Sequence, residues 1–92
     1  MSLLTPESVE ESLRSLPQWK LEDQEIVRRY KFGDFAAAMV FVNRVAEKAE
    51  TAQHHPDIDI RYNQVRLALV SHDQGGVTER DIKMAATIDA LT

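Results

Sequence analysis

The 92-residue chain contains no cysteine, which removes a disulfide framework, a thiolate zinc site and a cysteine nucleophile from the chemistry open to it. Three glycines and three prolines are too few for low complexity or a long linker, so one domain over residues 1–92 is expected. No apolar run approaches the roughly 20 residues needed to cross a bilayer, and the opening Met1-Ser2-Leu3-Leu4 lacks the basic flank and apolar stretch of a signal peptide. A cytoplasmic location with no membrane partner is the expectation. A strong basic patch is missing too. Eleven Lys and Arg stand against 15 Asp and Glu, which argues against direct nucleic-acid binding, a process that depends on cations neutralising phosphates.

What remains is an ordinary folding composition, 43% hydrophobic and 28% charged, on a chain near the lower size limit for a self-sufficient core. A homodimer or homotetramer is therefore expected. Ala68 and Val70, apolar positions on an otherwise charged strand face, are the surface that expectation points to.

The pattern along the chain predicts seven elements. Thr5-Pro6-Glu7 reads as a capped helix start with Pro at the first helical position, continued by Val9, Leu13 and Leu16 and ended by Pro17. Trp19 and Leu21 alternate as in a strand, Glu22-Asp23-Gln24 forms a turn, and a second strand runs from Ile26 to Phe32, with Arg28 falling on its apolar face. Asp34 to Gln53 has helical spacing through Phe35, Met39, Val42, Ala46 and Ala49, and Pro56 stops it. Ile58, Ile60 and Tyr62, then Val65, Leu67 and Leu69, predict a hairpin centred on Asn63-Gln64, in which Tyr62 faces Val65, Ile60 faces Leu67 and Ile58 faces Leu69. Tyr62 is then a core residue. Thr78 and Asp81 have capping-box spacing at the start of a last helix, after a Gly75-Gly76 turn. The order implies an α+β fold, a four-stranded antiparallel sheet with three helices packed on one face.

All three histidines, His54, His55 and His72, fall within the same short stretch. The hairpin register that buries the apolar face also sets His55 opposite His72, and directly opposed Cβ atoms lie roughly 5 Å apart, close enough to share a small ligand. Histidine exchanges a proton near neutral pH. Spacing alone leaves two readings: an acid/base or ligand cluster, or a helix terminus ended by Pro56. A metal site is disfavoured because no cysteine is available and neighbouring histidines do not converge naturally on one ion. Asp81 reads first as a cap, and Glu50 as a solvated helix charge.

The stretch Glu50-Thr51-Ala52-Gln53-His54-His55-Pro56, followed by Tyr62, His72 and Asp81 at these separations, resembles the signature of the pterin-4a-carbinolamine dehydratase family. Tyr62-Asn63-Gln64-Val65 and the run from Gly75 to Ile82 are similar too. The resemblance extends from Trp19 to Leu91. It implies the same α+β fold and a hydro-lyase that dehydrates 4a-hydroxytetrahydropterin to quinonoid dihydropterin, in recycling of the pterin cofactor used by aromatic amino-acid hydroxylases. It implies no metal or other cofactor. His54, His55 and His72 become the catalytic and pterin-contacting residues, Gln53, Ser71 and Asp73 further substrate contacts, and Glu50 and Asp81 supporting groups. An aspartate commonly precedes the histidine pair in animal members, with aromatic residues after the proline; this chain has Gln53 and Asp57-Ile58 there. The resemblance also implies dimers or tetramers, and some relatives act as partners of a transcription factor or as assembly factors.

Overall fold

The computed structural model describes residues 2–92. Thr5 caps the first helix, α1 (Pro6–Ser12), by accepting from the Ser8 amide at 3.1 Å, and a 3-10 turn, Leu13–Ser15, extends it to Leu16, just before Pro17. Two short-turn hairpins follow the same logic on either side of the long helix. Strands β1 (Lys20–Glu22) and β2 (Glu25–Lys31) pair antiparallel, then α2 (Phe35–Ala52) crosses over, β3 (Asp57–Arg61) and β4 (Gln64–Leu69) pair antiparallel, and α3 (Glu79–Asp89) closes the chain. The spatial order is β1-β2-β4-β3, so β2 and β4 form the centre and β3 is an edge.

One face of the sheet makes the core. Leu21, Ile26, Tyr30, Val65, Leu67 and Leu69 share it and join Val9 and Leu13 of α1, Phe41 and Val45 of α2, and Met84 and Ile88 of α3 in one apolar cluster. All three helices therefore cover the same face. Arg28 belongs to that face by alternation, and its partner explains the exception. Its guanidinium donates to Asp89 Oδ1 at 2.6 Å, at the end of α3, and stacks 4.2 Å from the Tyr30 ring centroid, while Trp19 Nε1 donates to the same Asp89 oxygen at 2.8 Å. Burial pushes the Tyr30 phenol above its ordinary range, an effect partly offset by the Arg28 charge.

Four expectations are corrected. Pairing of β3 with β4 sets Ile60 against Val65 and Ile58 against Leu67, two residues away from the expected register. A two-residue slip returns every side chain to the same face, so apolar alternation cannot detect it. The turn decides. It falls on Tyr62-Asn63, where Asn63 donates its side-chain amide to the Phe32 carbonyl at 2.7 Å and accepts the Phe32 amide at 2.8 Å. Tyr62 takes a left-handed φ of 53° and is 67% exposed, a turn residue and not a core one. In α2 the buried stripe is Ala38, Phe41, Val42, Val45 and Ala49, while Phe35 is half exposed and Ala46 lies outside. Alanines lie on several sides of this helix, and only packing selects the ones that let it approach the sheet. Ala68, finally, is buried: together with Val27 it forms a row across the outer sheet face, flanked in register by Lys20 and Asp57 and by the long Arg29 and Arg66 side chains of the next row.

Candidate active site

The end of α2 delivers the histidine pair. Gln53 adopts a left-handed φ of 53°, its amide bonds to the Glu50 carbonyl at 3.3 Å, and the His54 amide bonds to the Ala49 carbonyl at 3.1 Å. These two bonds make a Schellman motif, which reverses the chain and turns His54 inward. Pro56, itself buried, then leads into β3.

His54 is the buried member of the pair. Its Nε2 lies 2.5 Å from Asp81 Oδ1, and Asp81 is fully buried at the start of α3. The other carboxylate oxygen accepts the Thr78 amide at 2.8 Å and the Ser71 hydroxyl at 2.9 Å. Asp81 is thus both the capping-box residue and the anchor of His54. Since Asp81 accepts at both oxygens, the Nε2 proton of His54 faces it, which leaves Nδ1 as the ring atom free to take or give a proton.

His55 points elsewhere. Its Nε2 is hydrogen-bonded to Glu50 Oε2 at the surface, so a second imidazole is held through Nε2 by a carboxylate, in water instead of in the protein interior. Gln53 turns its side-chain amide back onto the Glu50 carbonyl at 2.7 Å.

His72 lies in the tight turn between Ser71 and Gly76, exposed. The corrected register removes its expected pairing with His55: β3 begins at Asp57 and β4 ends at Leu69, so neither histidine belongs to the ladder. His54 opens on a cleft of about 190 Å³ lined by Ala52, Arg80, Lys83, Met84 and Thr87. His72 lines a different, wider one with Asp23, Gln24, Glu25, Val70 and Gly75. The turn and α3 are nevertheless tied together, because Arg80 bonds Asp73 at 2.5 Å and holds its carboxyl below the usual range. Among the described residues no cluster of three or more His, Cys, Asp or Glu side chains is placed to hold a metal ion, and no helix is long and apolar enough to cross a membrane.

Sequence reasoning missed Arg80, Lys83 and the second role of Thr78. Thr78 was visible only as a cap, whereas its hydroxyl also lies 2.8 Å from that of Ser71. Nothing in linear spacing signals that contact.

Residues 2–91 match the family described as pterin 4 alpha carbinolamine dehydratase. The chain belongs to that family. A protein of Acidobacterium capsulatum, provisionally named as a pterin-4-alpha-carbinolamine dehydratase, is 67% identical over 99% of both chains. A Chloroflexus aurantiacus protein with the same provisional name is 53% identical over 99% of this chain and 98% of its own. Among solved structures, a transcriptional coactivator/pterin dehydratase from Brucella melitensis superposes with a TM-score of 0.93 at 40% identity, covering 98% of each chain. A pterin dehydratase-like protein identified as a RuBisCO assembly factor in the alpha-carboxysome shares the fold at 24% identity and a TM-score of 0.66, over 79% of this chain and 84% of its own.

Proposed function

We propose that the chain is a hydro-lyase that dehydrates a 4a-hydroxytetrahydropterin to the quinonoid dihydropterin in pterin recycling, with the histidines as its proton-transfer groups. The observation that carries this reading is the buried His54–Asp81 pair beside an open cleft, in a chain of the dehydratase family. Loss of water requires one proton to reach the C4a hydroxyl as the carbon–oxygen bond breaks, and one to leave the ring nitrogen as the new double bond forms. The two steps balance without net oxidation.

A group serving either step must keep one ring nitrogen free while the other is held. His54 meets that condition through Asp81 and His55 through Glu50, each with Nδ1 available. The two sit in opposite surroundings, one buried and one solvated, an arrangement suited to different proton-transfer roles. His72, carried on the turn that Asp73 and Arg80 fasten to α3, is the third group, with Gln53 and Asp73 as further substrate contacts. Ser71 is 1% exposed, so its contribution is inside the protein and not on the pterin.

The test is turnover of freshly generated carbinolamine against a protein-free control, since the substrate also dehydrates spontaneously. The protein accelerates the reaction, and EDTA leaves the rate unchanged. Replacing His54 or His72 by Ala lowers the enzyme-dependent rate by about 10²- to 10⁴-fold. Equal rates with and without protein reject the reading, as do three folded histidine variants with normal turnover. We read the chain as a cytoplasmic homodimer or homotetramer, a state supported by its size and by Ile58 and Ile60 exposed on edge strand β3.

The Brucella melitensis relative, a transcriptional coactivator/pterin dehydratase, favours one second reading, a protein-binding role alongside catalysis.

A further inference from the structure

The cleft onto which His54 opens lies between Ala52, the last residue of α2, and one face of α3, where Arg80, Lys83, Met84 and Thr87 recur at helical spacing. Its walls divide by chemistry. Ala52 and the almost fully buried Met84 supply apolar surface. Arg80 is committed, since its guanidinium donates to Asp73 on the turn that carries His72. Thr87 is folded back along the helix, its hydroxyl donating to the Lys83 carbonyl at 3.0 Å. That leaves Lys83. Its side chain is exposed, and its ammonium has neither an ion pair nor a hydrogen bond among the described residues, Glu79 one helix turn earlier included. No carboxylate lines the cleft.

An apolar wall, an imidazole and one uncommitted cation suit a flat ring that carries a negative substituent. Size narrows this further. At about 190 Å³ the cleft is smaller than the roughly 300–1,000 Å³ of sites for drug-sized ligands, so it takes a small ring system with a short substituent and not a long charged tail. In a pterin, the carbon that loses its hydroxyl, C4a, is bonded to N5, and N5 to C6. The C6 substituent therefore lies on the same edge as the reacting atoms, and a ring that sets this edge at His54 brings that substituent into the cleft whose free cation is Lys83.

We propose that Lys83 is a specificity-determining residue that selects pterins whose C6 substituent is a short anion, such as a carboxylate, over pterins whose substituent there is neutral. This rests on the reading of the His54 cleft as the pterin site. Lysine suits the task because its ammonium is a compact charge on a flexible stem, able to meet a carboxylate without one fixed geometry. The contact is partly solvated, so its effect is that of an exposed ion pair, about 5-fold in affinity at the upper end of that range, and salt screens it.

The test is fluorescence titration with two pterins that differ only at C6, pterin-6-carboxylate and 6-hydroxymethylpterin. Wild type binds the carboxylate about 5-fold more tightly at low salt, and the ratio falls toward one at about 1 M salt. Lys83→Met, similar in length but uncharged, abolishes the preference, and Lys83→Arg keeps it. Circular dichroism is the same in both variants, because the side chain is exposed. Equal affinity of the wild type for the two pterins overturns the proposal, and so does a folded Lys83→Met that retains the preference, even one in which both pterins weaken together. In those cases the neutral pterin still binds and the pterin site stands. A wild type that binds neither pterin overturns the site and the selectivity together.

Discussion

At Asp81 one buried carboxylate serves three donors from three segments: the Thr78 amide of its own helix start, the Ser71 hydroxyl of the turn, and the His54 ring at the end of α2. Capping of α3 and anchoring of His54 are therefore inseparable there. Asp81→Asn keeps the shape and one acceptor oxygen but turns an N–H₂ group either toward Nε2 or toward the Ser71 and Thr78 donors. If the oxygen stays with the cap, the amide donates to Nε2 and forces the His54 proton onto Nδ1, the wrong nitrogen. We expect a loss of about 1–3 kcal/mol in stability by urea unfolding, the scale of a buried polar group left mispaired. The enzyme-dependent rate should drop by as much as about 10⁴-fold, as when an orienting aspartate is amidated in a serine protease triad. Normal turnover in the folded variant would remove Asp81 from the mechanism. The capping role was legible because it depends on a spacing of three residues. The contact with His54 spans 27 positions and exists only once α2 and α3 pack together.

Among the elements, α2 shows how a boundary sets a site. Its Schellman reversal aims His54 at Asp81, yet the left-handed position is filled by Gln53 and not by glycine. Left-handed backbone costs an L-residue about 1–2 kcal/mol, part of which glycine returns as greater freedom in the unfolded chain. Gln53→Gly is therefore expected to stabilise the fold by about 0.5 kcal/mol, read as a raised thermal midpoint. A KM that rises in the same variant identifies a substrate contact by the Gln53 side chain, whereas a lowered midpoint contradicts the strain argument. Both ends of α2 and the start of α3 were readable from Asp34, Pro56, Thr78 and Asp81, because these signals act locally. The β3–β4 register was readable only to within two residues. Its choice rests on Asn63 binding Phe32, a contact between separate hairpins that no local pattern encodes. The proposed opposition of His55 and His72 rested on that register and went with it.

For the whole molecule, the decisive feature is an uncovered edge. β3 ends the sheet with all five residues exposed, and Ile58 and Ile60 point toward the helix-bearing face at 37% exposure each. Its free backbone groups can accept another strand, and charged neighbours are the usual means of preventing this. Here Asp57, Asp59 and Arg61 all lie on the outer face, with Arg61 already bonded to Asp59 at 3.1 Å, so the edge itself is weakly defended. Of the surface first suggested by the sequence, Ala68 and Val70, Ala68 is covered and only Val70 stays part-exposed. Burial of about 1,200–2,000 Å² is needed for a stable interface, more than a five-residue edge supplies alone, so half-exposed Phe35 and Val40 on α2 are the apolar surface available to extend it. Light scattering at micromolar concentration should give the mass of a dimer or tetramer. The Ile58→Lys, Ile60→Lys double variant should shift that mass downward with the circular dichroism unchanged, because both side chains are partly solvated and neither belongs to the apolar cluster. A wild-type monomer at that concentration would defeat the self-association reading, and an unshifted mass in the folded double variant would move the contact away from β3.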